Sequence, residues 1–283
     1  MKINWFPGHM KKTLEKMQSD IKKVDGVIYV IDSRAPFSCV NPQIDKICKD
    51  KLVIYVLSKS DLSNQKITNS FINYFKSIGR NVLSLNLNHT SAKNEIIKAL
   101  TNALKDKISR DQKKSIVSLF KFMVIGVPNT GKSTLINNLA YSKKAVTGDK
   151  AGVTKSTQWV KVSDNLALLD TPGTLWPNLN DELTLLKLAF IGSIKDDVLD
   201  TTELGFELIK FLITNNLEDL KERFPSVDFD CEPIDVYDQI GKIRGYLLRG
   251  GEIDYDRLGK AMIVDFRSGR MGKISLDKVK SYE

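Results

Sequence analysis

The sequence predicts an α/β fold: a parallel sheet in the first part of the chain, then a smaller, mostly helical region. Three observations predict it. Short runs rich in β-branched and aromatic residues alternate with stretches of helical periodicity as far as residue 170, the pattern of strands joined by crossover helices. One of those runs, FKFMVI, leads straight into the glycine-rich turn GVPNTGKS and a further helical stretch. After Trp176-Pro177 the strand signals stop and helical spacing takes over.

The elements follow in order. Met10, Leu14, Met17, Ile21 and Val24 fall at helical spacing directly behind the opening WFPGHM. Strands are expected at 24–32 (VDGVIYVID) and 52–58 (LVIYVLS), apolar without alternation, as in strands covered on both faces. Between them NPQIDKICKD reads as a short crossover helix. A helix carrying Ile67, Phe71, Tyr74, Phe75 and Ile78 comes next, then a strand at 81–87 and a helix at 91–107. The polar, basic stretch SRDQKKS at 109–115 has no periodicity and reads as a connection within one sheet. Strand 120–125, helix 134–140 and strand 166–170 complete that sheet, and Leu183, Leu186, Ala189, Phe190 and Ile194 open the helical region. The 283 residues thus divide into 1–178, with an N-terminal arm at 1–10, and 179–283.

Composition narrows the class. A 42% hydrophobic content supports ordinary packed cores. No apolar run approaches the roughly 18 residues of a membrane span and no cleavable leader pattern is present, so the expectation is a soluble, cytoplasmic protein without membrane contact. Cys39, Cys48 and Cys231 form no C-x-x-C pair, and with His9 and His89 they complete no tetrahedral zinc set, which leaves reduced, idle thiols. Lys and Arg at 43 against Asp and Glu at 34 give a net charge of +9, which favours polyanionic partners.

The turn at 126–133 is G-x-x-x-x-G-K-S between a strand and a helix. Backbone N–H groups of Asn129, Thr130, Gly131, Lys132, Ser133 and Thr134, with the helix N-terminus, suit phosphate oxygens. Lys132 reaches the β- and γ-phosphates in such a loop, and the Ser133 hydroxyl ligates Mg2+. Strand 166–170 ends in Asp170-Thr171-Pro172-Gly173, where Asp170 is placed to hold Mg2+ through water and Gly173 N–H to meet the γ-phosphate. Between them, GDKAGVTK at 148–155 is basic and glycine-containing; Thr154 is its hydroxyl for Mg2+, and the segment is the expected first switch.

A second turn, Ser58-Lys59-Ser60-Asp61, ends strand 52–58 and resembles the guanine-reading N-K-x-D of GTPases. Asp61 would accept from the ring N–H and exocyclic amine of guanine, a donor pair adenine lacks. The Lys59 stem would pack along the base, while Ser58 keeps a hydroxyl but loses the amide of Asn. Asn86 and Leu87, at the end of the following strand, are chosen over Ser91-Ala92-Lys93 for the backbone contact to the base oxygen.

The base-reading elements precede the phosphate loop, whereas ordinary GTPases run the other way. This order (G4-G5-G1-G2-G3), the opening WFPGHM, DSRAPFS at 32–38 and DTPGTLWP at 170–177 together resemble the YlqF/RbgA family of circularly permuted ribosome-biogenesis GTPases over essentially the whole chain. The resemblance implies a permuted P-loop GTPase domain that binds GTP and GDP with Mg2+ and K+, acting on the large ribosomal subunit precursor and stimulated by that particle. Asn129 resembles the asparagine that ligates K+ in potassium-activated GTPases; read alone, it equally well shapes the loop. Small GTPases orient the attacking water with a Gln where this chain has Thr174, followed by Leu175. His9 alone reads as a capping or packing residue at a helix start, but it resembles the histidine the family uses near the γ-phosphate, and so joins Lys132 as a catalytic candidate.

The second switch, from Asp170, runs into the helical region within about ten residues, so nucleotide state should move that region. Lys242, Arg244, Arg249, Arg257, Lys260, Arg267, Arg270 and Lys273, mixed with Tyr246, Tyr255 and Phe266, form the expected rRNA face of a monomeric protein. Two other readings stand beside this one: an RNA-binding assembly factor that holds GTP or GDP with little turnover, and a permuted GTPase acting on another RNA or a membrane partner.

Overall fold

The computed structural model describes residues 8–115, 117–140, 157–175 and 181–279, with the backbone alone at 8–12 and 45. Its sheet has six strands: β1 (Gly26–Asp32), β2 (Leu52–Ser58), β3 (Asn81–Ser84), β4 (Phe120–Ile125), β5 (Gln158–Ser163) and β6 (Leu166–Asp170). They lie in the order β3-β2-β1-β4-β6-β5, and β5 alone runs antiparallel to its neighbour. From β1 the chain winds outward through β2 to β3, then returns to the other side of β1 as β4. The strand order therefore reverses between β1 and β4, and the crevice beyond their carboxyl ends is where such sheets bind ligands. Register brings the ends together, with Asp32 opposite Ser58 and Tyr29 opposite Ile125.

Helices cover both faces. On the sheet side of the chain are α1 (Gly8–Asp20, continued by a 3-10 turn at Ile21–Lys23), α2 (Pro36–Cys39), α3 (Pro42–Ile47), α4 (Gln65–Ser77), α5 (Ala92–Ala103), α6 (Lys105–Lys113) and α7 (Lys132–Leu139). The helical region has α8 (Glu182–Phe190), α9 (Thr201–Asn215), α10 (Leu217–Arg223), α11 (Pro233–Ile243) and α12 (Tyr255–Arg267). Short polar side chains start many of them: Asn64, Asp181, Asp200 and Asp254 accept from the first N–H groups of α4, α8, α9 and α12. Among the described residues no helix is long and apolar enough to cross a membrane.

Every residue of β1 is buried, and its side chains alternate between two apolar clusters. Ile28 and Val30 join α5 and α7 on one face. Val27, Tyr29 and Ile31 join α1, α4 and the helices from α8 onward on the other, so the helical region shares one core with the sheet.

Several expectations need correction. The strand expected at 81–87 ends at Ser84, although Leu85 N still bonds Leu57 O. The helix expected at 91–107 breaks at Leu104, and most of the stretch read as a connection is α6. None of the α6 side chains is buried, which is why no apolar period announced it. Edge strand β5 went unforeseen because only Val160 and Val162 of its residues are buried. The phosphate-loop helix begins at Lys132 rather than 134. Helix α1 begins at Gly8, so His9 stands on its first turn, not on a free arm.

Helices α9 and α12 cross at Gly205 and Gly259. A Cβ on Gly205 would overlap Gly259 Cα, and one on Gly259 would stand 2.7 Å from Thr201 O. Helix propensity alone would favour Ala by about 1 kcal/mol, but overlap with backbone costs about 1–3 kcal/mol. Gly205→Ala is expected to lower the urea midpoint with an unchanged slope; a raised midpoint would show that the crossing yields.

Candidate nucleotide site

The phosphate loop is drawn tight by its own backbone. Gly126 (φ 148°) lies so close to β1 that a Cβ would overlap Val30 O, and Gly131 (φ 93°) turns the chain into α7 against the Leu87 side chain. Asn129 also adopts a positive φ, 60°. Thr130 Oγ1 and Lys132 Nζ both donate to Val127 O, at 3.0 and 2.8 Å, across the mouth of the loop. Ser133 and Thr134 occupy the first turn of α7, half-buried. Burial pulls the Lys132 ammonium down to about 8 against the opposing pull of Asp170.

Asp170 ends β6 fully buried, and neither carboxylate oxygen has a hydrogen-bond partner among the described residues. Burial pushes its carboxyl up, with Lys132 pulling the other way. A buried carboxylate of this kind fits a hydrated Mg2+, with the Ser133 hydroxyl as a second candidate ligand. Thr171 Oγ1 bonds Val124 O at 2.7 Å and so fixes the turn. Gly173 is pressed to the phosphate loop: a Cβ there would stand 2.7 Å from Pro128 Cα and 2.9 Å from Lys132 Nζ. Thr174 points inward, 2% exposed, with its N–H on Gly126 O at 3.3 Å. It is no positioner for water.

On the base side, Ser58 is fully buried and its Oγ lies 2.6 Å from Thr130 O and 3.0 Å from Ile31 O. The hydroxyl has one proton, and the shorter pair ties the Ser58 to Asp61 turn to the phosphate loop. Lys59 turns through φ 53°, and its Nζ lies 3.2 Å from Asp32 Oδ2. Asp61 is exposed on the following turn, where Ser60 N reaches Leu85 O at 3.4 Å. Leu87 is buried, with its carbonyl bonded by Asn138 Nδ2 of α7. Asn86 Oδ1 instead accepts from Asn88 N at 2.9 Å within its own turn.

The helical region reaches the same crevice. Asn129 Nδ2 donates to Ile191 O at 3.2 Å and Ser193 Oγ to Pro128 O at 2.7 Å, so the end of α8 grips the phosphate loop. With Nδ2 so committed, the amide oxygen is the end of Asn129 suited to a cation. Sequence reasoning missed Ser193, Asn138 and the role of Asp32 and Arg34 inside DSRAPFS; none belongs to a local phosphate or base motif. Thr154, Trp5, Phe6 and Pro7 lie outside the described residues, as does the His9 side chain. Of the basic residues assigned to an RNA face, Arg244 and Arg270 pair with Asp265, and Arg267 pairs with Asp196 and bonds Ala189 O and Phe190 O. Phe266 is buried and unable to stack on a base. Lys242, Arg249, Arg257, Lys260 and Lys273 remain exposed.

Comparison with known proteins bears on this geometry. The sequence profile of a family described as 50S ribosome-binding GTPase matches residues 121–226, from β4 and the phosphate loop into the helical region. The ribosome biogenesis GTPase A of Bacillus licheniformis is 39% identical over 279 residues, spanning 98% of this chain and 99% of that one. That of Bacillus cereus is 38% identical over 278 residues, spanning 98% and 94%. The fold resembles the crystal structure of GNP-bound YlqF from Thermotoga maritima, with a TM-score of 0.66 at 24% identity over 94% of this chain and 98% of that one. With full-length relatives at this level of identity, the chain belongs to the ribosome biogenesis GTPase A family.

Proposed function

We propose that this protein binds the large ribosomal subunit precursor and couples GTP hydrolysis to a late step of its assembly. One observation carries the reading: at the strand ends the phosphate loop is bonded to Ser58, pressed by Gly173 three residues after Asp170, and hydrogen-bonded to the helical region through Asn129 and Ser193. The names of its relatives and the description of the matching profile support the ribosomal partner.

Each residue has a part. Asp61 pairs with the guanine edge, Lys59 lies along the base, and the Asn86-Leu87 backbone meets the base oxygen. Backbone N–H groups from Asn129 to Thr134, with Gly173 N–H, hold the phosphates, and the Lys132 ammonium lies against the β- and γ-oxygens. Ser133, Thr154 and Asp170 would hold Mg2+, Asp170 through water, and Asn129 would hold K+; bound there, these ions would supply positive charge to the phosphates. Water attacks the γ-phosphorus, the bond to the β,γ-bridging oxygen breaks, and GDP and phosphate leave. With Thr174 buried, orientation of that water falls to His9. The exposed Lys242, Arg249, Arg257, Lys260 and Lys273 meet rRNA phosphates. The protein works as a cytoplasmic monomer. The buried Thr174 also favours a second reading, an assembly factor that holds nucleotide with little turnover.

Steady-state hydrolysis with and without purified large subunits decides between them. Stimulation by the particle, with GTP strongly preferred to ATP, is expected; unstimulated turnover would leave the second reading, and equal use of ATP would remove the base assignment. His9→Ala is expected to keep GTP affinity while stimulated turnover falls on the order of 100-fold; intact turnover would make His9 structural.

Lys132 gives a separate check. With its ammonium near 8, roughly three-quarters of it is deprotonated at pH 8.5 and about a tenth at pH 7. Bound phosphate favours the charged form, so GDP binding at pH 8.5 takes up close to that fraction of a proton. The buffer dependence of calorimetric binding enthalpy measures it, and zero uptake at pH 8.5 would contradict the placement of Lys132 on the phosphates.

A further inference from the structure

Asp32, at the end of β1, has no part in the chemistry above, yet it is fully buried and surrounded by donors. Arg34 grips it with both sides of the guanidinium, Nε to Oδ1 at 3.0 Å and Nη2 to Oδ2 at 2.8 Å, and adds its own backbone N–H to Oδ1 at 3.0 Å. The remaining cation on Oδ2 is Lys59, the lysine of the base-reading turn, at 3.2 Å. Arg34 is itself 1% exposed and looks the other way into the helical region. Its Nη1 lies 3.3 Å from Phe266 O and 3.4 Å from Arg267 O, and its guanidinium sits 5.1 Å from the centroid of the Phe266 ring. Arg267 continues to Ala189 O and Phe190 O, at the end of α8, just before Ile191 and Ser193 take hold of the phosphate loop.

We infer that Asp32 is a positioning residue for base recognition, holding Lys59 in line, and that Arg34 makes this hold depend on the docking of α12. The inference rests on the reading of residues 58–61 as the guanine site. Its physical basis is that a lysine on a left-handed turn has a long, freely rotating stem, and a fixed carboxylate at its tip selects one course for that stem. The carboxylate is fixed only while Arg34 is, and Arg34 is fixed by carbonyls and a ring that belong to α12. A partner that draws α12 away from Arg34 therefore loosens the base end of the site and speeds nucleotide release.

The test compares GDP with inorganic pyrophosphate, which occupies the phosphate loop but has no base. Asp32→Asn is expected to weaken GDP about tenfold while pyrophosphate competes within twofold of the unaltered protein. In a Lys59→Met background the same change is expected to add less than twofold. An equal loss for both ligands, or the full effect of Asp32→Asn without Lys59, would overturn the proposal. Should Asp32→Asn fail to fold, Phe266→Leu keeps every charge and is expected to speed release of a fluorescent GDP severalfold, and not in the Lys59→Met background; unchanged or slower release would overturn it. Equal affinity of the unaltered protein for GDP and ADP would instead bring down the base-reading assignment itself, and the proposal with it.

Discussion

A guanidinium enclosed at the seam between sheet and helices imposes conditions on everything around it. Arg34 must be paired, because an uncompensated buried charge costs about 3–5 kcal/mol, and Asp32 supplies the pairing two residues away. Burial would lift the Asp32 carboxyl, but Arg34 and then Lys59 outweigh it and hold it well below the usual carboxylate range. The Arg34 donors that Asp32 leaves over find carbonyls on α12, and the Arg34 carbonyl accepts from Leu276 and Asp277. Ser38, four residues on, gives its N–H and hydroxyl to Asp277, which also binds Lys187 of α8. The segment DSRAPFS is thus the place where the helical region is fastened to the sheet. A chain without that fastening would have to rebuild the apolar cluster the two parts share.

That fastening meets the nucleotide crevice because of sheet order. The reversal between β1 and β4 puts Asp32, Ser58 and Gly126 at neighbouring strand ends. Permutation then sends the chain from β6 into helices that fold back over the same ends. The phosphate loop is consequently bonded on one side to β2 through Ser58 and on the other to α8 through Asn129 and Ser193. The loop therefore cannot shift without straining one or both attachments.

Strands β2, β4 and β6 were legible to the residue, because strands covered on both faces read as apolar runs bounded by polar residues. The phosphate loop was legible because its geometry is local, set by two glycines and a lysine. What escaped reading was set by distance. Ser58 looked like a weakened asparagine, but its hydroxyl reaches Thr130 across 72 positions of sequence. Asp32 and Arg34 could be seen as a motif, but not as a junction, since the α12 carbonyls that Arg34 reaches lie more than 200 residues away. Helix α6 escaped for the opposite reason: none of its side chains is fully buried, so it leaves no periodic trace.

The same distance effect changes the count of charge available to a polyanion. In sequence the basic residues after 242 form one group. In the fold Arg244 and Arg270 neutralise the buried Asp265, and Arg267 anchors α12 to α8. These three are committed to ion pairs within the fold, though Arg270 stays exposed, and an RNA reading rests first on Lys242, Arg249, Arg257, Lys260 and Lys273. Beside them Ile243, Leu247 and Leu248 are 42–52% exposed, around a tight turn at Arg249, Gly250 and Gly251 that a Leu247 to Ile253 bridge closes. Cations interspersed with apolar side chains on a preformed turn suit a partner that offers phosphates and uncharged surface together, as folded RNA with its proteins does, better than a bare duplex. Arg257 and Lys260 of that group stand on α12 itself, the helix whose last carbonyls hold Arg34 and whose Arg267 bonds Ala189 O and Phe190 O of α8.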